Sequence, residues 1–511
     1  MPATGLQSAP GDAPDRQRAA SDFAALLAIA LATVIFHGLI GNRYGFHRDE
    51  LQTLHDARHL AWGYVAYPPA TPFFGRISLW LFGASLAGFR FFASLAQAAA
   101  LVLTGWMARE LGGGRRAQMI AVLAALPLCL VGGSLMMYVS FDYLCWVLVA
   151  YLAIRMLKTG DPRWWVAIGA AIGAGMLSKY AMPFWAAGLG AGLLATRERR
   201  LLKSAWLWAG AATALALMAP NLAWQYRHHF IYLDFIRHIH ARDIAEGRTR
   251  GFLPDQLKIT LFAFPLAMAG LWASLAGALG RQYRALGWMY LVPLLLFIVA
   301  QGRGYYLVAA YPMLYAAGAA WWERRAAGAA KPGMRRLGWA LAIALTFDLG
   351  LISALTLPLA PPGTRWFQAA NAADHDLREE IGWRELVKTA AQVRDSLPAA
   401  ERAGVGVLAA NYGEAGAIDL YGPRYGLPRA ISGINSFRRD GYGNPPPREL
   451  IVIGLSRGYA ERQFAGCRLT AHTHNRYHLR NEEAGDHPDI FVCQAPRAGW
   501  PAFWKKFKYY G

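Results

Sequence analysis

Two adjacent carboxylates, Asp49 and Glu50, close the stretch Arg43-Tyr44-Gly45-Phe46-His47-Arg48-Asp49-Glu50, just beyond a long apolar run. A carboxylate in such a position can take the proton of an incoming hydroxyl. Consecutive helical residues point about 100° apart, so the two acids cannot share one task. Their plainer role is to cap a helix at its N-terminus, where acids are favoured. A third acid, Asp142 in Ser140-Phe141-Asp142-Tyr143, stands at the mouth of another apolar run. An ionisable group at membrane depth is costly unless it lines a cavity or finds a partner, which makes Asp142 a functional candidate, with helix capping as the alternative. Lys179 in LSKYAMP and Arg303 in QGRGYY lie at run ends, flanked by Tyr180, Tyr305 and Tyr306, and Arg58 follows the acid pair. These cations suit a phosphate, although Lys and Arg at run ends also snorkel to the interface. A base for a hydroxyl together with cations for a phosphate is the equipment for displacing a phosphate leaving group.

The elements that must position these groups are apolar helices. The chain has 511 residues, 55% of them apolar and only 16% charged, against about 25% charged in soluble domains. A spanning helix needs about 20 apolar residues, and about eleven such runs are found by that criterion. They begin near Phe23, Phe89, Gln118, Tyr143, Trp164, Met182, Ala205, Ile259, Leu286, Tyr305 and Leu337, and the fifth and sixth are short enough to be one broken hairpin. A net charge of +20 would suggest nucleic acid in a soluble protein. Here the basic residues cluster between runs, at Arg115-Arg116, Lys158/Arg163, Arg197 to Lys203, Arg281/Arg284 and Arg324 to Arg336 including Lys331, which makes them a cytoplasmic-face signal and excludes a nucleic-acid reading. With residues 1–22 as a cytoplasmic tail and 23–359 as the membrane part, loops 42–88 and 221–258 face outward, and an odd number of spans puts 360–511 outside as well.

In loop 42–88 the residues from Asp49 to Trp62 are expected to form an interfacial helix with Leu51, Leu54 and Arg58 on about one face, ended by Tyr67-Pro68-Pro69. Loop 221–258 breaks the charge rule with Arg227, Arg237, Arg242, Arg248 and Arg250. An excess of cations on that face asks for an anionic partner, or else marks a lipid-facing amphipathic segment. The outer part reads as α/β: GVGVLAANYGEAGAIDLYG as strand, turn and helix, with ELIVIGL and DIFVCQ as further strands. Cys467 and Cys493 both lie there and can pair in an oxidising compartment, while Cys129 and Cys145 fall in apolar runs. There is no Walker loop, no zinc-type Cys/His spacing and no tandem repeat.

These stretches, in order RDEL and ARHLAWGYVAYPP, SFDYLCW, KTGDPRWW, LSKY, PNLAWQYRH, GRGYYLVAAYPMLYAAGA and NYGEAGAIDLYGPRYGLP, resemble glycosyltransferase family 39, the dolichyl-phosphate-mannose-protein mannosyltransferase-like group, and its bacterial aminoarabinose-transferase relatives of GT-C architecture. The resemblance implies an α-helical polytopic inner-membrane protein with an extracytoplasmic C-terminal α/β domain. It implies an inverting transfer of a sugar from a polyprenyl-phosphate donor to an extracytoplasmic acceptor, whether glycolipid, lipid A, cell-envelope glycan or protein. Asp49 takes the role of the family's catalytic base, Glu50 that of its second acid, and Asp142 that of the acid in the next outward loop. Arg58, Lys179 and Arg303, with Tyr305 and Tyr306, are the expected donor-phosphate residues; bacterial relatives often have Lys where this chain has Arg303. No cofactor or metal is expected. The competing functions are a transporter or flippase of lipid-linked saccharides, which predicts charges buried mid-span in two related halves, and a silent assembly subunit.

Overall fold

The computed structural model describes residues 12–277, 279–328 and 332–511; residues 1–11 of the expected tail and Lys331 of the basic cluster fall outside them. Every one of the expected apolar runs coincides with helix: Asp12–Ile40, Phe91–Glu110, Arg115–Gly133, Tyr138–Thr159, Trp164–Met176, Met182–Leu194, Ala205–Arg227, Phe252–Leu275, Gly280–Val299, Tyr311–Gly328 and Pro332–Thr356. Among the described residues, 8 helices are long and apolar enough to cross a membrane. Trp164–Met176 and Met182–Leu194 have only 13 residues each, and Tyr311–Gly328, whose last turns carry Glu323, Arg324 and Arg325, lies at the centre of the bundle with Leu314, Tyr315 and Ala316 fully buried. Helices cross closely where glycines face each other: a Cβ at Gly169 would meet the Gly210 carbonyl oxygen at 2.0 Å. In lipid, where apolar side chains gain nothing by leaving the solvent, such close backbone approach is what holds helices together. Large apolar side chains such as Leu39, Trp80, Trp208 and Trp339 are left exposed on the outside.

Loop 42–88 is itself largely helical, with Arg48–Arg58, Ala70–Phe82 and Leu86–Phe89. The first of these stops earlier than its expected end at Trp62, because Tyr64 folds back to accept a hydrogen bond from the Ala61 amide (2.9 Å) and donate to the Asp56 carbonyl (3.1 Å). Its apolar face meets protein. Leu51 and Leu54 are 0% and 1% exposed, covered by protein. The cover comes from the C-terminal part, whose core is shared with this helix: Phe46, Leu51 and Leu54 pack in one cluster with Trp383, Val387, Ile418 and Ile451.

That part is a five-stranded sheet in the order β2-β1-β3-β5-β4, formed by β1 Gly406–Ala409, β2 Ala430–Ile431, β3 Glu449–Ile453, β4 Arg468–His472 and β5 Asp489–Gln494. Strand β1 runs parallel to β2 and β3, and β5 antiparallel to β3 and β4. The expected strand–turn–helix is β1 followed by the helix Tyr412–Tyr421. Residues 221–258 are helical too, ending Ala205–Arg227 and continuing as Ile231–Ala245 and the start of Phe252–Thr260. Cys467 and Cys493 form a disulfide that closes a 26-residue separation beside the edge strand. A loop of that size stabilises by roughly 3 to 4 kcal/mol in the chain-entropy account. Cys467→Ser with Cys493→Ser should therefore lower the stability of the five-stranded sheet in urea by about that amount, read by limited proteolysis of the 360–511 region, with the bundle unaffected.

Candidate active site

The helix Arg48–Arg58 starts on a capping box. The His47 ring Nδ1 accepts the Asp49 amide (3.2 Å), and the Glu50 carboxylate accepts the His47 amide (2.9 Å). Two otherwise unpaired helix donors are satisfied this way, and two acids sit in the positive first turn. Capping and chemistry are then divided between the two residues. Glu50 is 0% exposed and, besides His47, accepts Arg90 Nε (2.9 Å), Arg90 Nη2 (2.6 Å) and the Met136 amide (2.8 Å). Four donors occupy its acceptor sites, so it clamps rather than exchanges protons. Arg90 also reaches Glu380 (2.9 Å) and the carbonyls of Gly41 (3.2 Å) and Gly45 (3.1 Å). Burial pushes the Glu380 carboxyl above its usual range, with Arg90 opposing.

Asp49 faces another way and is half-buried. Its Oδ1 accepts the Tyr412 hydroxyl at 2.7 Å, from the first turn of the helix Tyr412–Tyr421. One turn on, Gln52 accepts Asn435 Nδ2 (2.9 Å), and at the next turn Asp56 accepts Tyr67 (2.6 Å) and Ser436 (3.4 Å). Burial raises Asp56 to about 6 against the opposing effect of His55 and these hydrogen bonds. His55 lies between Asp419 (3.3 Å) and Asp440 (3.4 Å) and stacks on Phe437 at 3.9 Å. One face of the acid helix is thus bound along its length to the C-terminal sheet-bearing part.

Lys179 sits in the break between Trp164–Met176 and Met182–Leu194. Its ammonium lies over three tyrosine rings, at 4.3 Å from Tyr306, 5.3 Å from Tyr305 and 5.6 Å from Tyr138. Among the described residues it has no salt bridge or hydrogen bond, and the charges it meets at longer range are those of Asp142 and Arg303. Asp142 is 7% exposed and accepts Trp146 Nε1 (3.1 Å). The Asp49 charge acts on Tyr138 and Tyr305, two walls of the same cage. Tyr305 and Tyr306 ride on the 3-10 turn Gly304–Ala310, anchored where Gln256 donates to the Gly304 carbonyl (2.8 Å) and accepts from Tyr311 (3.0 Å).

Arg303 is differently occupied. Its Nε and Nη2 grip Asp243 bidentately at 2.6 and 2.5 Å, and Asp243 is 2% exposed. Tyr180 turns to Asn221 (2.5 Å). Arg58 lies roughly 13 Å along the helix axis from Asp49, exposed, donating to the Asp419 carbonyl (3.3 Å). The structure therefore brings together Asp49, Asp142, Lys179, Tyr305 and Tyr306, with Arg303 at the edge, and turns Glu50 and Arg58 elsewhere. Tyr138, Arg90, Asp243 and Tyr412 belong to the site and were not singled out in the sequence. Among the described residues no group of three or more His, Cys, Asp or Glu could hold a metal ion; His228 stacks on Trp224 at 3.9 Å.

Residues 66–224 match the family described as dolichyl-phosphate-mannose-protein mannosyltransferase, a stretch that holds Tyr138, Asp142 and Lys179 and lies just after the acid helix. Across the whole chain the structure is similar to that of ArnT from Cupriavidus metallidurans bound to undecaprenyl phosphate, with a TM-score of 0.57 at 15% identity, covering 93% of this chain and 98% of that one. The chain shares the overall fold of that protein. The apo state of the same ArnT matches with a TM-score of 0.55 and the same identity and coverage. The Archaeoglobus fulgidus oligosaccharyltransferase in complex with zinc and sulfate gives 0.46 at 13% identity over 92% of this chain and 75% of that one. No match is found among curated protein sequences.

The four-donor cradle makes Glu50 a stability element. Glu50→Ala leaves a buried guanidinium with Glu380 as its one remaining carboxylate among the described residues, and should cost about 3 to 5 kcal/mol, seen as a lowered unfolding temperature of the detergent-purified protein. An unfolding temperature equal to that of the parent would show that the clamp contributes nothing.

Proposed function

We propose that the chain is an inverting glycosyltransferase that moves a sugar from a polyprenyl-phosphate carrier to a hydroxyl of an extracytoplasmic acceptor. The observation that carries this reading is the caged ammonium of Lys179, which among the described residues has no carboxylate in hydrogen-bonding reach, and whose cage tyrosines Tyr138 and Tyr305 also feel the charge of Asp49. An unmatched cation in a desolvated pocket favours an anion, and the aromatic faces hold it in place without neutralising it. In a single displacement the acceptor oxygen attacks the anomeric carbon and its proton passes to Asp49. The bond from that carbon to the phosphate oxygen breaks, and the lipid phosphate leaves with its electron pair and charge against Lys179. Arg303, aimed by Asp243, and the hydroxyls of Tyr305 and Tyr306 border the same phosphate position, and Asp142 sets the field behind Lys179. The family match over 66–224 and the fold shared with an ArnT bound to undecaprenyl phosphate support the same donor class.

The chain is further proposed to reside in the inner membrane, with its N-terminus cytoplasmic, eleven crossings and residues 360–511 outside. The basic clusters and a disulfide in the outer sheet support that orientation. The carrier's isoprenoid tail then stays in lipid while its phosphate meets Lys179 at the membrane boundary.

Asp49→Asn keeps size and polarity but removes the base. Purified in detergent and given synthetic polyprenyl-phosphate sugars, it should lose transfer by at least about a hundredfold while still binding donor; near-normal turnover would take the base role from Asp49. Lys179→Ala should weaken donor dependence by roughly ten- to a hundredfold, from loss of about 1.5 to 3 kcal/mol of charge-assisted phosphate contact, and Lys179→Arg should do less harm. A donor dependence unchanged in the alanine variant would move the phosphate elsewhere.

A further inference from the structure

Hydrogen-bond bookkeeping around Tyr412 leaves a single arrangement. Arg48 Nε lies 3.0 Å from the Tyr412 oxygen and Asp49 Oδ1 lies 2.7 Å from it. Guanidinium nitrogens only donate, so the phenol oxygen accepts from Arg48 and its one proton goes to Asp49. Arg48 is itself fixed from the outer part, by an ion pair with Glu482 and by stacking 4.8 Å over the Tyr412 ring. Among the described residues the second carboxylate oxygen of Asp49 takes no hydrogen bond. One oxygen is tied down and the other is left for an incoming hydroxyl.

The helix carrying Tyr412 is built to reach this point. Its capping box, with Asn411 accepting the Gly413 amide (2.6 Å) and Glu414 accepting the Asn411 amide (3.0 Å), fixes its first turn. Its near face is glycine: a Cβ at Gly413 would meet Arg48 Cβ at 3.0 Å and Trp383 at 2.5 Å, and one at Gly416 would meet Leu51 Cβ at 2.7 Å and its carbonyl oxygen at 2.8 Å. Larger residues would push the two helices apart and lift the phenol from the carboxylate.

We infer that Tyr412 is a positioning residue for the base, so that the outer α/β part completes the catalytic centre instead of only covering it. The inference rests on the reading of Asp49 as the base. A phenol that donates to one carboxylate oxygen holds the group in one rotamer, and that hydrogen bond to the ionised form is lost when the hydroxyl is removed. The other charged or titratable groups around Asp49 are Arg48 and His47 on its own helix and at its cap, Glu482 beyond Arg48, and Tyr138 and Tyr305 on the membrane side.

The test is the pH dependence of transfer by the full-length purified enzyme, with donor and acceptor varied separately. Tyr412→Phe keeps the ring and its stacking but removes the proton. It should lower kcat by about tenfold, leave the donor KM unchanged and move the acid limb of the rate profile upward by about one pH unit. Fluorotyrosine at position 412, a stronger donor of nearly the same shape, should move that limb downward, and it answers the question even where the Phe variant folds poorly. A parental kcat and acid limb in Tyr412→Phe, or a fall in kcat with the limb unmoved, overturns the positioning role. Asp49→Asn separates the two claims: if it is active, the base assignment fails, whereas if it is inactive and Tyr412→Phe is normal, only the present inference fails.

Discussion

The buried guanidinium of Arg90 is the constraint on which the rest of the site depends. It ties together the end of the first long helix at Gly41, the loop at Gly45, the acid helix through Glu50 and the C-terminal part through Glu380. Such an ion cluster supplies little net stability, because withdrawing three charges from water costs about what their attraction returns. Its effect is on geometry. With Glu50 drawn inward and saturated, the helical offset of about 100° between neighbours turns Asp49 toward the helix Tyr412–Tyr421. A pair of acids that looks redundant in one dimension becomes a clamp and a separately held carboxylate in three.

The two cations of the site differ in the same way. Lys179 is held by aromatic faces and among the described residues has no carboxylate in hydrogen-bonding reach, whereas Arg303 is ion-paired with the buried carboxylate of Asp243. An ammonium is a point charge on a flexible stem, suited to follow a phosphate as its bond breaks; a forked guanidinium already gripped by Asp243 is better at marking one edge. The chemistry proposed for the chain needs both a mobile and a fixed contact, since the phosphate gains charge as the sugar leaves.

Much of the architecture was legible because apolar length is a one-dimensional property. All eleven expected runs are helices, and the β1, β3 and β5 segments stand where their alternation and turns put them. The exposed, basic β4 and the two-residue β2 were not, because neither carries an apolar pattern of its own. Amphipathicity foresaw a buried face on the acid helix but not its partner, since Leu51 and Leu54 would look the same against lipid as against protein. Arg90 carries no local signal in the sequence, because its carboxylates lie 40 and 290 positions away. Lys179 and Arg303 were equivalent in sequence, and only the fold reveals that Asp243, in a stretch noted for its positive charge, belongs to one of them. Tyr412 lay within a motif quoted for its strand–turn–helix pattern, yet spacing could not connect it to Asp49.

The distance along the chain between those last two residues also sets an order of assembly. Glu50 can meet Arg90 soon after both leave the ribosome, but Tyr412 is 363 residues beyond Asp49. At typical elongation rates that gap is roughly 20 to 70 s of synthesis, during which Leu51 and Leu54 have no protein cover and Asp49 no phenol beside it. The nascent membrane bundle therefore waits with the acid helix half covered, and the contact between Asp49 and Tyr412 closes only after the sheet-bearing part has been made and has folded onto it.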